Sequence, residues 1–116
     1  MKLLTKQLQS ELAKYPLYSQ DGKGSDAVAV AKFFLCAGAW TWYVLEADLQ
    51  TNEMFGIVIN VQGEGEYGYF SLAELESIRT KWGAQVERDI YFAPGKLSGI
   101  TDDPYLQKFL QNVYPE

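Results

Sequence analysis

The stretch VAVAKFFLCAGAWTWYVLEADLQTNEMFGIVINV, residues 28–61, decides the architecture. It reads as three strands in quick succession: Val28 to Cys36, ended by Gly38; Trp40 to Ala47; and Met54 to Val61. β-Branched and aromatic residues fill the runs, and the polar segment ADLQTNE has the composition of a hairpin loop. Connections this short favour an antiparallel meander, because parallel strands need a long crossover. Strict alternation over the second strand sends Trp40, Trp42, Val44 and Glu46 to one face and Thr41, Tyr43, Leu45 and Ala47 to the other. Both faces carry large apolar groups, as in a central strand. Residues 27–45 contain one charge, Lys32, and are long enough to cross a bilayer, but Gly38 and the alternation argue for two strands.

Working outward, residues 2–15 predict a helix with Leu4, Leu8, Leu12 and Tyr15 near one face, stopped by Pro16. SQDGKGSD, residues 19–26, is turn chemistry and predicts an exposed loop. After the meander, Gly63, Gly65 and Gly68 lead into a short strand at Tyr67 to Phe70. Ser71 and Glu74 have capping-box spacing, and Leu72, Leu75, Ile78 and Trp82 supply a buried side, so a helix over about 71–82 is expected with Gly83 as its left-handed cap. Val86 to Phe92 predicts a fifth strand with Val86, Arg88, Ile90 and Phe92 on one face. Asp103 before Pro104 marks the start of a terminal helix striped by Leu106, Phe109, Leu110 and Val113. The fold class is therefore α+β. We expect a mainly antiparallel sheet of four to five strands with an N-terminal helix, a helix at about 71–82 and a C-terminal helix, all in one domain over residues 1–116.

Composition narrows the function. Ten basic against fifteen acidic residues leave a net charge of −5 with no basic run, which argues against non-specific nucleic-acid binding. Glu64, Glu66, Glu74 and Glu76 crowd one short stretch, which reads first as a solvated face and second as an acidic docking patch. The chain has no histidine, so Ser-His-Asp and Cys-His sites cannot be built in their ordinary forms. Cys36 is the only cysteine, which removes an intramolecular disulfide and a Cys/His zinc site. Cys36 itself reads as an inert buried thiol in an apolar run. With no signal-peptide pattern at MKLLTKQLQSELAKY, the expected location is cytoplasmic and the expected protein soluble.

Five residues stand out as candidates for a ligand or interaction site: Trp42, Glu46, Glu66, Tyr69 and Arg88. Arg88 shares strand parity with apolar residues, so its guanidinium needs a partner, and Glu46, Glu66 and Glu74 are the candidates. An anion site and an internal salt bridge are the two readings of it. Glu46 shares predicted parity with Trp40 and Trp42, which would make an aromatic wall carrying one carboxylate, although tryptophans at strand spacing also serve as core. GEGEYGYF lacks the spacing and the basic residue of a phosphate loop. No catalytic residue, metal ligand or cofactor is expected.

The blocks TWYVLEAD (41–48), FG (55–56), EYGYFSLAELESI (66–78) and ERDIYF (87–92) resemble the bacterial family catalogued as domain of unknown function 2958. The resemblance runs from MKLLTK to about Leu97. It implies a small protein of accessory or mobile DNA, such as plasmids or gene cassettes, and brings no established activity. Ile59-Asn60-Val61 stand where many members read Asp-Leu-Gly. The leading expectation is a non-catalytic binding protein whose partner is another protein or a small ligand, with no membrane. The alternatives are a small enzyme or accessory subunit with an aromatic–carboxylate pocket, and a self-assembling structural protein, for which a homo-oligomer would be the working state. The enzyme requires the five candidates to converge in one concavity.

Overall fold

The three expected strands form the centre of a five-stranded antiparallel sheet. The computed structural model describes residues 2–115. Its elements in chain order are α1 (Lys6–Leu12), β1 (Val28–Ala29), β2 (Ala31–Leu35), β3 (Trp40–Asp48), β4 (Glu53–Ile59), β5 (Gly65–Ser71), α2 (Leu72–Ser77), β6 (Glu87–Arg88), β7 (Gly95–Lys96) and α3 (Pro104–Val113). The sheet order is β5-β4-β3-β2-β6, and β1 pairs with β7 in a separate two-stranded ribbon. The α+β class and the antiparallel meander are as the sequence predicts.

Each face of the sheet carries its own core. On one side α1 and α2 cover Phe33, Trp42, Val44, Met54 and Phe70, with Leu8, Leu12 and Leu75 descending from the helices. On the other, α3 and the segment after β7 cover Tyr43, Leu45, Ile57 and Ile59, with Leu97, Leu106, Phe109 and Leu110. Residues 27–45, long enough for a membrane span, are sheet. Among the described residues no helix is long and apolar enough to cross a membrane.

Four expectations need correction. The N-terminal helix begins only at Lys6, because Thr5 is its cap and accepts from the Leu8 N–H at 3.2 Å. The first strand is broken at Val30 into β1 and β2, which belong to different sheets. The helix expected over 71–82 starts as predicted, with Ser71 Oγ accepting from the Glu74 N–H at 3.0 Å, but stops after Ser77. Local side-chain bonds end it: the Ser77 hydroxyl donates to the Glu74 carbonyl, the Arg79 guanidinium to the carbonyls of Glu76 and Ile78, and Thr80 Oγ1 accepts from the Ala84 N–H. Gly83 does adopt a left-handed φ of 84°, but in the turn closed by the Arg79–Gln85 bridge, and Trp82 is 84% exposed rather than buried. The fifth strand is two residues long. Asp89 Oδ1 accepts from the Tyr91 N–H in an Asx turn that ends it, which leaves Ile90 and Tyr91 exposed and turns Phe92 onto Tyr43.

The terminal helix follows the prediction closely and explains how it is anchored. Asp103 Oδ1 caps α3 by accepting from the N–H groups of Tyr105 and Leu106, while its Oδ2 accepts from the Tyr43 hydroxyl at 2.6 Å. One carboxylate thus caps the start of the helix and ties it to β3. Burial, followed by the hydrogen bond to Asp103, pushes the Tyr43 hydroxyl far above its ordinary pKa.

Candidate functional site

The decisive local feature lies in β3. Val44 pairs with Gly56 and Glu46 with Phe55, so Leu45 is an extra residue and the strand bulges. A Cβ at Gly56 would overlap the Tyr43 carbonyl oxygen, so only glycine lets the two backbones meet there. The bulge reverses parity. Leu45 and Glu46 both face the α3 side, and Ala47 returns to the α1–α2 side opposite Met54. The expectation that Glu46 shares a face with Trp42 is therefore overturned.

Glu46 is 2% exposed and holds the loop that precedes β1. Its Oε1 accepts from the Tyr18 N–H at 2.8 Å and its Oε2 from the Gln20 N–H at 2.7 Å. Tyr18 adopts a left-handed φ of 73°, uncommon for an aromatic residue, which this pair of bonds sustains. Gln20 is buried as well. Its amide nitrogen donates to the carbonyls of Val28 and Leu45, and its amide oxygen accepts from the Val28 N–H. The segment expected to be a plain exposed loop is thus stitched to two strands.

Between this loop and the sheet lies a cleft of about 320 Å³. Glu46 and Gln20 line its floor, Phe55 and Tyr67 one wall, and Tyr114 and Asp21 its mouth, with no lysine or arginine among the lining residues. The Phe55 and Tyr67 rings stack at 5.6 Å and 6°, and Tyr69 tilts onto Phe55 at 4.9 Å. The Tyr67 and Tyr114 hydroxyls hydrogen-bond at 2.5 Å, joining the end of α3 to β5. Burial and then that bond raise the Tyr67 hydroxyl well above its ordinary value. The Tyr69 hydroxyl is raised too, first by hydrogen bonding to Tyr18, with the Glu46 and Asp21 charges adding to it.

Of the five sequence candidates, Glu46 and Tyr69 come together here. The other three share the opposite face, in the cross-strand row Arg88–Phe33–Trp42–Val58–Glu66. Trp42 is 6% exposed, stacked on Trp40 and sealed in the core. Glu66 is exposed at one edge of the sheet and Arg88 lies at the other, four strand spacings or about 19 Å away. Arg88 instead faces α1 across a shallow recess of about 150 Å³ shared with Glu11 and Asp89. Of its expected partners, Glu46 lies on the opposite face and Glu66 at the far edge of the sheet. Cys36, expected to be buried, is exposed at the tip of the β2–β3 turn with a φ of 51°. Among the described residues no three histidine, cysteine, aspartate or glutamate side chains gather where a metal could be held.

Residues 3–101 match the family model described as a protein of unknown function, DUF2958. The chain belongs to that family. No curated protein and no solved structure matches it. In this DUF2958 member, the blocks that carry the resemblance supply Leu45, Glu46, Phe55 and Tyr67 of the cleft lining, together with Gly56 and the bulge beside it. Sequence reasoning missed Gln20, Phe55, Tyr67 and Tyr114. A glycine inside a strand, here Gly56 after Phe55, was the available signal of a bulge or close backbone approach. Gln20 carried no such signal.

Proposed function

We propose that this protein is a non-catalytic binding protein of the accessory genome and that the cleft floored by Glu46 is its ligand site. The observation that carries this reading is a buried carboxylate at the base of an aromatic-walled recess, fixed by two backbone N–H groups. The recess is at the small end of ligand-site volumes, suited to a compact molecule or to one side chain of a protein partner. Catalysis finds little support in the arrangement. The enzyme reading needed Trp42, Glu46, Glu66, Tyr69 and Arg88 in one concavity; the bulge turns Glu46, and plain strand alternation turns Tyr69, to the face opposite the other three. Glu46 has no second carboxylate or nucleophile beside it on the cleft floor, and Asp21 sits at the mouth.

The test is a fragment set screened by backbone amide shift mapping on the isotope-labelled protein. We expect hits to cluster on the amides of Tyr18, Gln20, Leu45 and Tyr67 and to disappear in Tyr67→Leu. Hits confined to the Arg88 recess or to the β2–β3 turn would sink the assignment.

A further inference from the structure

Resting on that reading of the cleft, we infer that its ligand carries an organic cation, an ammonium or guanidinium head on a short apolar stem, seated against Glu46. The first argument is charge. An ionised carboxylate offers about four acceptor positions, and Glu46 uses two of them, both on neutral backbone donors. Among the described residues no basic group lies in ion-pair range of it, and ion pairs form elsewhere, at Lys14–Glu11, Lys32–Asp89 and Lys96–Asp26. A buried charge compensated only by neutral donors gains more from a cation than from any other ligand group.

The second argument is the aromatic wall, which favours the same ligand. Phe55 and Tyr67 line the cleft as a stacked pair, and Tyr69 extends the array beyond the lining on the same side of the sheet as the carboxylate. Aromatic faces attract ammonium and guanidinium groups, and they accept the apolar stem equally well. The third argument is exclusion. Asp21 at the mouth, Glu46 at the floor and the lack of any lysine or arginine in the lining repel carboxylates and phosphates. Anionic ligands and nucleic-acid backbones are therefore poor occupants, and a neutral ligand would leave the Glu46 charge uncompensated.

A cationic head has two sources, a free small amine and a lysine or arginine side chain of a protein partner, and one titration series separates them. The probes are n-butylammonium, n-butylguanidinium, n-butanol, butyrate and a blocked lysine residue with both peptide ends capped. The readout is the Tyr18 and Gln20 amide signals, whose N–H groups bind Glu46 directly. We expect saturable shifts with the two cations, none with butyrate, and an affinity for butanol at least tenfold weaker. Tyr67→Leu leaves the carboxylate and both its N–H bonds in place. It should weaken the cations about fivefold and butanol less. Glu46→Gln should abolish the preference for cations over butanol; if that variant loosens the loop, Tyr67→Leu carries the test. Blocked lysine binding as tightly as butylammonium assigns the site to a protein partner, and tenfold weaker binding assigns it to a free amine.

Butanol or butyrate binding in the cleft as tightly as the cations would overturn the cation while leaving the cleft as the ligand site. Cations shifting amides only outside the cleft would overturn both. Silence from every probe would overturn the cation alone, since the fragment map tests the cleft independently.

Discussion

On its α1–α2 side the sheet buries Phe33, Trp42, Val44, Met54 and Phe70 beneath Leu8, Leu12 and Leu75, with the Arg88 Nε buried at the β6 edge. On its α3 side the same strands carry an oxygen at nearly every layer: Thr41 and Glu46 are buried, Gln20 closes over Leu45, Tyr43 reaches Asp103 and, nearer the surface, Tyr67 reaches Tyr114. The first face is closed by dispersion and area burial, which are non-directional and tolerate no opening. The second is closed by directional bonds that leave a cleft of about 320 Å³ between them. One sheet is thus sealed on one face and left with a cleft on the other.

That division can be probed at six residues. The largest effect belongs to the sealed face. Trp42→Ala should destabilise the fold by about 3–5 kcal/mol in urea unfolding without changing any cleft ligand's affinity in the fraction that folds. Gly56→Ala should cost about 3 kcal/mol, because its Cβ meets backbone rather than a side chain that can turn away. If it is tolerated within the error of the measurement, the bulge does not depend on the missing Cβ. Glu46→Ala should cost about 2 kcal/mol and speed hydrogen exchange at Tyr18 and Gln20 before any other amide. An equal rise across α1 would show that the two faces are not separable.

Tyr43 and Tyr67 set the response to alkali. Both hydroxyls titrate in the fold above the ordinary value of 10.0 that the unfolded chain would show. Their contribution is therefore complete below about pH 10 and is lost as the pH rises beyond it, when the unfolded state releases protons first. Tyr43→Phe should cost about 1 kcal/mol near neutrality, with the gap to wild type closing above pH 10, read by parallel unfolding curves. The smallest effects are expected at Trp82→Ala and Glu66→Ala, each within about 0.5 kcal/mol. A larger loss at Trp82 would mean that its exposed ring is covered by something in solution.

Periodicity exposed the elements and failed at their exceptions. β3 and β4 were legible because β-branched and aromatic residues fill them and the flanking residues are turn formers, and α3 because Asp103 and Pro104 announce it. The end of α2 was not legible, since Leu75, Ile78 and Trp82 keep helical spacing while Ser77, Arg79 and Thr80 bond the backbone locally and stop the helix. Glu46 and Tyr69 were found as candidates, but Glu46 was assigned to the wrong face. The reason is that the residue controlling its parity sits on the neighbouring strand, at position 56. Gln20 was out of reach for a related reason: its three bonds go to backbone 8 and 25 residues away.

The family match ends at residue 101, just before α3 opens at Pro104. Yet α3 brings Leu106, Phe109 and Leu110 onto Tyr43, Leu45, Ile57 and Ile59 and closes the cleft mouth with Tyr114. A chain cut at the family border would keep every strand of the five-stranded sheet and lose one of its two roofs. It would bare an apolar surface of the kind that drives association. The segment that matches the family and the packed unit therefore have different borders, and truncation at the first is expected to yield a sticky sheet.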